Sequence, residues 1–334
     1  MEEPNQSALV ERIPELIRND ARETATRGLD ALREENAETR KLTLQTLRHL
    51  ADDDPTAFSS LCASVAPFLT DDERPIRLTT AKLLVAVAEA DPDAVVPVVP
   101  ALADRLADED EFYYVRARSA EALGYVALER PEEVNSPEVL ADLRVGLSFD
   151  EPEVKEKLAK ALEFVALGDP RRLRRQVSHL VEHADDENEL VRYHLCTAAA
   201  VVGCEYPAAL VDARAELRAR LDDDSPFVRG RAAEALGVSV RDDTEGTPLP
   251  DAELADDEES FAAERARFAL QAANSPSDSV EIAGDIGTVE GIRRTTDDAA
   301  TEILSPETDG ECSHCGLTLP ENGPPMCPRC GVPY

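Results

Sequence analysis

The chain has 334 residues, 69 of them acidic against 35 basic, for a net charge of -34 and a pI near 4.4. That balance argues against non-specific attraction to nucleic acid or to an anionic membrane surface. No stretch reaches the ~20 continuous apolar residues that cross a bilayer, and the opening MEEPNQSALVERIPEL is acidic where a secretory leader is basic and then apolar. A cytoplasmic protein is expected.

The basic residues are themselves informative: only five are lysine (Lys41, Lys82, Lys155, Lys157, Lys160), tryptophan is absent, and aspartate runs such as 52–54 and 222–224 recur. This resembles the composition of a salt-accumulating archaeon, with an acidic mesophile as the alternative. At molar salt a Debye length of roughly 3 Å screens the self-repulsion of such a chain.

In chain order, residues 1–36 place Ala21, Ala25, Leu29 and Leu32 at helical spacing after Pro14. They read as capping helices, which a repeat array needs because its end unit has no neighbour to cover its apolar face. From residue 37 to 241 one frame is rewritten six times. A basic residue stands at Arg40, Arg77, Arg116, Lys155, Arg192 and Arg229, at intervals of 37, 39, 39, 37 and 37. An acid precedes each by five (Glu35, Asp72, Glu111, Asp150, Glu187, Asp224), and a proline follows five of them by fifteen (Pro55, Pro92, Pro131, Pro170, Pro207). Such a period means stacked structural units.

Within the third unit, Val115, Ser119, Ala122, Leu123 and Val126 share one face of a helix that must be buried. The position four after the basic residue is small in five copies (Ala81, Ala120, Ala159, Cys196, Ala233), which lets a neighbouring helix approach; Leu44 is the exception. The proline suits the first turn of a second helix, with Asp54, Asp91 and Asp169 as N-caps. The fourth unit's second helix carries the stripe Leu173, Val177, Leu180, Val181 and Ala184. Each unit is therefore expected to be an antiparallel helix pair, its recurrent acid and base forming a ladder between neighbours.

The copies VRARSAEALG (115–124) and VRGRAAEALG (228–237) resemble the HEAT-repeat family, in particular the HEAT-like units of phycobilisome lyases. The resemblance implies an all-α, curved α-solenoid of about six helix pairs whose surface holds protein partners. It leaves open a lyase-like enzyme or enzyme subunit.

Residues 242–310 hold nineteen acids against four arginines and read mostly as a solvated linker. Two pieces have helical patterning, 261–273 and 288–304. The first is expected to supply the missing second helix of the sixth pair, or else to dock a partner.

Residues 311–334 carry Cys312-Ser-His-Cys315-Gly and Cys327-Pro-Arg-Cys330-Gly. Two Cys-x-x-Cys knuckles, each followed by glycine, place four thiolates for tetrahedral zinc. The segment resembles a zinc ribbon with one structural Zn closed by Cys312, Cys315, Cys327 and Cys330; iron in a rubredoxin-like site is the alternative, and His314 is a spectator. A ribbon that touches nucleic acid needs basic residues, and this one has only Arg329. A nucleic-acid factor acting through the ribbon is thus the weaker reading.

Other patterns carry less chemistry. His179-Leu-Val-Glu-His183 matches a metalloprotease motif, but both histidines fall off the apolar stripe, so a surface pair is expected. The sequence contains no His-Glu dipeptide, which removes the di-iron hydroxylases built on similar repeats. Phe112, Tyr113 and Tyr114, adjacent at the turn before Val115 in a chain with fourteen phenylalanines and tyrosines, are candidate partner contacts. The expectation is a monomeric, non-catalytic adaptor that binds protein, with no membrane partner and no direct nucleic-acid contact.

One outcome follows from the cysteine knuckles. A ribbon this small has no core of its own, so its folding depends on metal. Adding a chelator to the full chain should collapse the NMR dispersion of residues 311–334 while the helical circular dichroism persists; retained dispersion would remove the metal site.

Overall fold

A computed structural model describes residues 9–240, 249–274 and 285–304. Among these the chain is all-α, and the four cysteine ligands expected near the C-terminus lie outside the described residues. Two short helices, Ile13–Arg18 and Arg22–Leu32, open the structure and bury Ile13, Leu29 and Leu32 against the first repeat. Six long helices then stack side by side: α1 (Ala37–Asp53), α2 (Arg74–Ala90), α3 (Tyr113–Glu129), α4 (Pro152–Gly168), α5 (Glu189–Glu205) and α6 (Pro226–Ser239). Each packs on the next, and short helical pieces between them form a second layer on one side.

Local chemistry sets the boundaries. Asn36 accepts a hydrogen bond from the Thr39 amide to cap α1, Asn188 caps α5 and Ser225 caps α6. A proline in the first turn starts α2, α4 and α6, where its missing N–H is no loss. At the other end Asp54, Asp91 and Asp169 leave helical geometry with φ of -145°, -146° and -151°, because the residue before proline is barred from the α region.

The second layer meets the expectation of whole helices only in part: Val99–Ala107 and Pro137–Val145 are nine-residue α-helices, and the other units are more broken. Pro55–Phe58 and Pro170–Arg172 are 3-10 turns, Pro131 opens a turn only, and the fourth unit's stripe buries Leu173, Val177 and Leu180 with a helix of five residues, Val177–Val181. Further prolines at 67, 97 and 100 each remove a backbone donor and divide these segments. Of the three expected caps only Asp169 accepts from a backbone amide, that of Arg171. Asp54 and Asp91 accept instead from the hydroxyls of Thr56 and Ser59.

The charge ladder is present: Glu111 takes its rung as the frame acid itself, whereas Asp71, Asp186 and Asp223 stand one residue before the frame acid. Arg40, Arg77, Arg192 and Arg229 donate to the carbonyls of the acids five before them, Glu35, Asp72, Glu187 and Asp224. The carboxylate each ladder residue grips belongs to the following unit: Arg40–Asp71, Arg77–Glu111, Lys155–Asp186, Arg192–Asp223 and Arg229–Asp257. Arg192 is bidentate, with both N···O distances 2.8 Å. Arg116 leaves the ladder, donating to the Leu106 carbonyl and lying 5.0 Å over the Phe149 ring.

The last pair also runs through Asp257, which corrects the expectation for residues 261–273. Helix α7 (Ser260–Asn274) is the seventh long helix, laid along α6 as α4 is along α3, and not an outer helix of the sixth pair. A final helix, α8 (Val289–Leu304), turns back across the open face of the long helices and rests on α5.

Close packing of the long helices depends on small residues. Ala81, Ala120, Ala159, Cys196 and Ala233 are all fully buried. A Cβ on Gly124 would stand 2.8 Å from the Ala161 Cα, and one on Gly237 2.9 Å from the Ala269 Cα. Both contacts are with backbone, so neither yields cheaply. Gly124→Val is expected to lower stability by about 1–3 kcal/mol through overpacking; a chemical-denaturation midpoint equal to that of the parent would contradict so close an approach.

Candidate interaction groove on the open face

On each long helix the positions two and five after the ladder residue lie about 60° apart at 100° per residue, so both face away from the short second layer. From α2 to α7 these positions hold Thr79, Thr197 and Phe268 and otherwise Lys82, Arg118, Glu121, Lys157, Lys160, His194, Arg231, Glu234 and Arg265. These charged groups sit on helices whose remaining faces are buried, and they divide into two regions.

The first region anchors α8. Arg231, Glu234 and Arg265 are at most 3% exposed. Glu234 accepts from Arg231 at 2.8 Å, from Arg265 at 3.0 Å and from the Gly287 amide at 2.8 Å. Arg231 also donates to Tyr193 at 3.2 Å, to the Ile292 carbonyl at 3.3 Å and to the Thr295 hydroxyl at 2.9 Å. Tyr193 in turn donates to the Thr296 carbonyl. The loop before α8 reaches this cluster through Gly287, whose φ of +77° suits glycine and whose absent Cβ leaves room for Phe268. A second tie is the Arg293–Glu129 ion pair.

The second region is open. Beside α8 lies a half-open cavity of about 910 Å³, with Tyr125, Lys160, Phe164 and His194 on one wall and Asp297, Ala300 and Leu304 of α8 on the other. Lys160 donates to the Tyr125 hydroxyl at 2.8 Å and lies 5.3 Å over the Phe164 ring. His194 is buried with its Nδ1 hydrogen-bonded to the buried Glu163 carboxylate. At the cavity edge Glu121 is shared by Arg118 at 2.6 Å, Lys157 at 3.6 Å and Lys160 at 3.7 Å. Burial pushes the Glu121 carboxyl up, but these three cations outweigh it and hold it below the usual carboxylate range.

The sequence-derived candidates fall elsewhere. Phe112, Tyr113 and Tyr114 stack on one another with ring centroids 4.6 to 5.3 Å apart. They are half-buried at the start of α3, with Arg74 4.5 Å over Phe112. His179 is exposed and bonded to Glu182, and the five-residue helix ends before His183, so the pair forms no metal site. Cys62 and Cys196 are buried, with burial pushing both thiols up to about 12. Among the described residues no group of histidine, cysteine and acidic side chains is placed to hold a metal.

The groove residues escaped the sequence reading although a signal was present. Three of only five lysines occupy the same two offsets of the frame, and the motif VRGRAAEALG carries Arg231 and Glu234 where a sandwiched helix should be apolar.

Stacked long helices, a subordinate second layer and an accessible side-chain face define an α-helical repeat solenoid. The chain belongs to the HEAT-repeat family: the family model for HEAT repeats matches residues 99–186 and 177–271, which together span more than half of the sequence. No curated protein matches it. Among solved structures it is similar to an engineered protein with a TM-score of 0.64 and 20% identity, over 90% of this chain and 84% of the other. A second engineered protein matches with a TM-score of 0.56 and 20% identity, over 69% and 98%. A designed armadillo repeat protein in complex with the peptide (KR)4 gives a TM-score of 0.56 and 16% identity, over 68% and 99%. At these identities the likeness establishes the fold. No helix among the described residues is long and apolar enough to cross a membrane.

The anchor generates a stability test. Burial pushes Glu234 up, yet Arg231, Arg265 and the Gly287 amide outweigh it and hold its carboxyl below the ordinary glutamate value. A depressed folded-state value stabilises fully above the unfolded pKa of about 4.3, and that contribution is lost as pH falls through the folded value. Glu234→Gln strands two buried guanidinium groups and should lose about 3–5 kcal/mol at pH 7, with the difference from the parent shrinking towards pH 3 in urea titrations. A difference that stays constant with pH would show that the carboxylate charge is irrelevant.

Proposed function

We propose that this chain is a non-catalytic scaffold whose open face holds a segment of a protein partner. The cavity of about 910 Å³ beside α8 carries this reading. It lies within the ~300–1,000 Å³ range of ligand-sized sites, its floor is aromatic and its walls bear a few placed charges. The HEAT-repeat fold adds support, because stacked helices offer extended surfaces suited to binding polypeptide. In this reading Cys312, Cys315, Cys327 and Cys330 hold one structural zinc ion that folds the C-terminal segment into a second contact element. Phe112, Tyr113 and Tyr114 would add a further contact at the turn before α3. The chain acts as a monomer in a salt-rich cell interior, where its acidity is screened.

A catalytic reading draws on the same cavity, since His194 oriented by Glu163 beside Lys160 and Tyr125 is a set of convergent titratable groups. The scaffold reading accounts better for their contacts. The His194 Nδ1 is committed to Glu163 and the Lys160 amine to Tyr125, and the hydroxyls among the described residues lining the cavity, besides Tyr125, are those of Thr296, which bonds to the Ile292 carbonyl, and Thr301.

Filling the cavity tests the scaffold. Ala300→Trp places an indole in the opening without touching the buried anchor. Partners captured at high salt on the parent chain and identified by mass spectrometry should be lost from the variant. A partner set unchanged by the substitution would remove the open face from the function.

A further inference from the structure

The net charge of -34 describes the molecule as a whole and misdescribes its open face. Across α2, α3 and α4 that face carries Lys82, Arg118, Lys157 and Lys160, with Glu121 as the acid shared by the last three. Lys82 is half-buried, and its strongest charged neighbours, Arg118 and Arg48, are of like sign. Burial first, then those two guanidinium groups, push its pKa down. Glu153 and Asp52 oppose them more weakly, and Lys157 also pairs with Glu156 at 2.7 Å. At the row positions themselves four cations still face one acid, Glu121, a surplus that a negatively charged ligand completes.

The form of that ligand is set by what surrounds the cations. At one end of the row the cavity presents Tyr125 and Phe164, an apolar floor that accepts one large side chain. The rim beyond is acidic, with Glu89, Asp93, Glu129 and Glu156 around the opening. A nucleic-acid strand, with a phosphate at every residue, would run against those acids. Discrete carboxylates separated by neutral residues fit the spacing of one or two cations per helix. The open face has already accepted one polypeptide of mixed character, since α8 lies on it with Asp297 and Leu304 turned to the cavity.

We infer that the groove over α2–α4 binds an acidic polypeptide segment, its carboxylates on Lys82, Arg118, Lys157 and Lys160 and one large apolar side chain in the cavity beside α8. The inference rests on the scaffold reading and gives its partner a chemistry. That chemistry is opposite in sign to the (KR)4 peptide of the designed armadillo complex.

The test is selection of a random 16-residue display library on the full chain, at the lowest salt at which its helical circular dichroism is intact, because added salt screens the contacts sought. Enriched peptides should carry more aspartate and glutamate than lysine and arginine, together with a large apolar residue. Their affinity should fall at least tenfold on Lys82→Glu, and tenfold or more on Lys157→Glu/Lys160→Glu, with Lys157→Arg/Lys160→Arg retaining it. Because Lys157 and Lys160 also hold Glu121, Lys82→Glu keeps the test decisive should the double variant lose its fold. Enrichment of neutral or basic peptides, or of none above the charge-reversed chain, overturns the inference. Binding of an oligothymidine that competes through the same lysines overturns it in favour of nucleic acid. If partners are captured in a manner sensitive to Ala300→Trp and the peptide preference fails, the scaffold stands and only the acidic ligand falls.

Discussion

Helices packed only by apolar stripes can slide and rotate against one another, and an open face of defined chemistry requires that they do neither. The arginine clamp supplies the constraint. Arg40, Arg77, Arg192 and Arg229 each bind a carbonyl of the turn that starts their own helix and the carboxylate at the start of the next, so one side chain fixes two helix origins together. Planar, bidentate geometry is what makes arginine suited to this. Exposed ion pairs contribute little, but these arginines are only 13% to 18% exposed and their partners 1% to 17%, and the clamp's larger effect is on register. With register fixed, Gly124 meets Ala161 and Gly237 meets Ala269, and the residues two and five positions on from each clamp fall into rows. The groove is a consequence of those rows.

Much of this was legible in the sequence because it repeats. A basic residue, a small residue and a proline at constant offsets announce a stacked helix, and the structure buries each small residue as stacking demands. Glu111 was legible as a clamp acid, but at other rungs the acid fell one residue off the frame for a simple reason. Asp71-Asp72 and Asp223-Asp224 are adjacent acids, and charge alone does not say which side chain turns to the next helix and which lends only its carbonyl. The second layer was overread because prolines that start a helix well also break the segments in which they recur.

The end of the array was harder, and the difficulty is physical. A terminal helix has no following neighbour, so the constraint that keeps its outward position small is lifted, and Arg267 stands exposed where the inner units carry alanine or cysteine. The frame therefore fades where the array ends. Two residues still keep it: Asp257, just before α7, takes the Arg229 clamp, and Arg265 in α7 repeats the register of Arg231. Helix α8 had no frame at all, and its docking site is written about sixty residues earlier, at Arg231 and Glu234.

Buried charge explains both regions of the groove. Three ionised side chains in the α8 anchor are tolerated because each finds several partners, which is the condition under which buried ions persist. Removing α8 would expose Arg231 and Glu234 on an otherwise alanine-rich surface, so the same polar network that specifies docking also tells a right occupant from a wrong one. Over α2–α4 the arrangement is incomplete in the opposite sense. Lys82 stands nearest to cations of its own sign, Arg118, Lys157 and Lys160 share Glu121, and only Lys157 has a second close acid, Glu156; an acidic segment would do for this half of the face what Glu234 and the threonines of α8 do for the other.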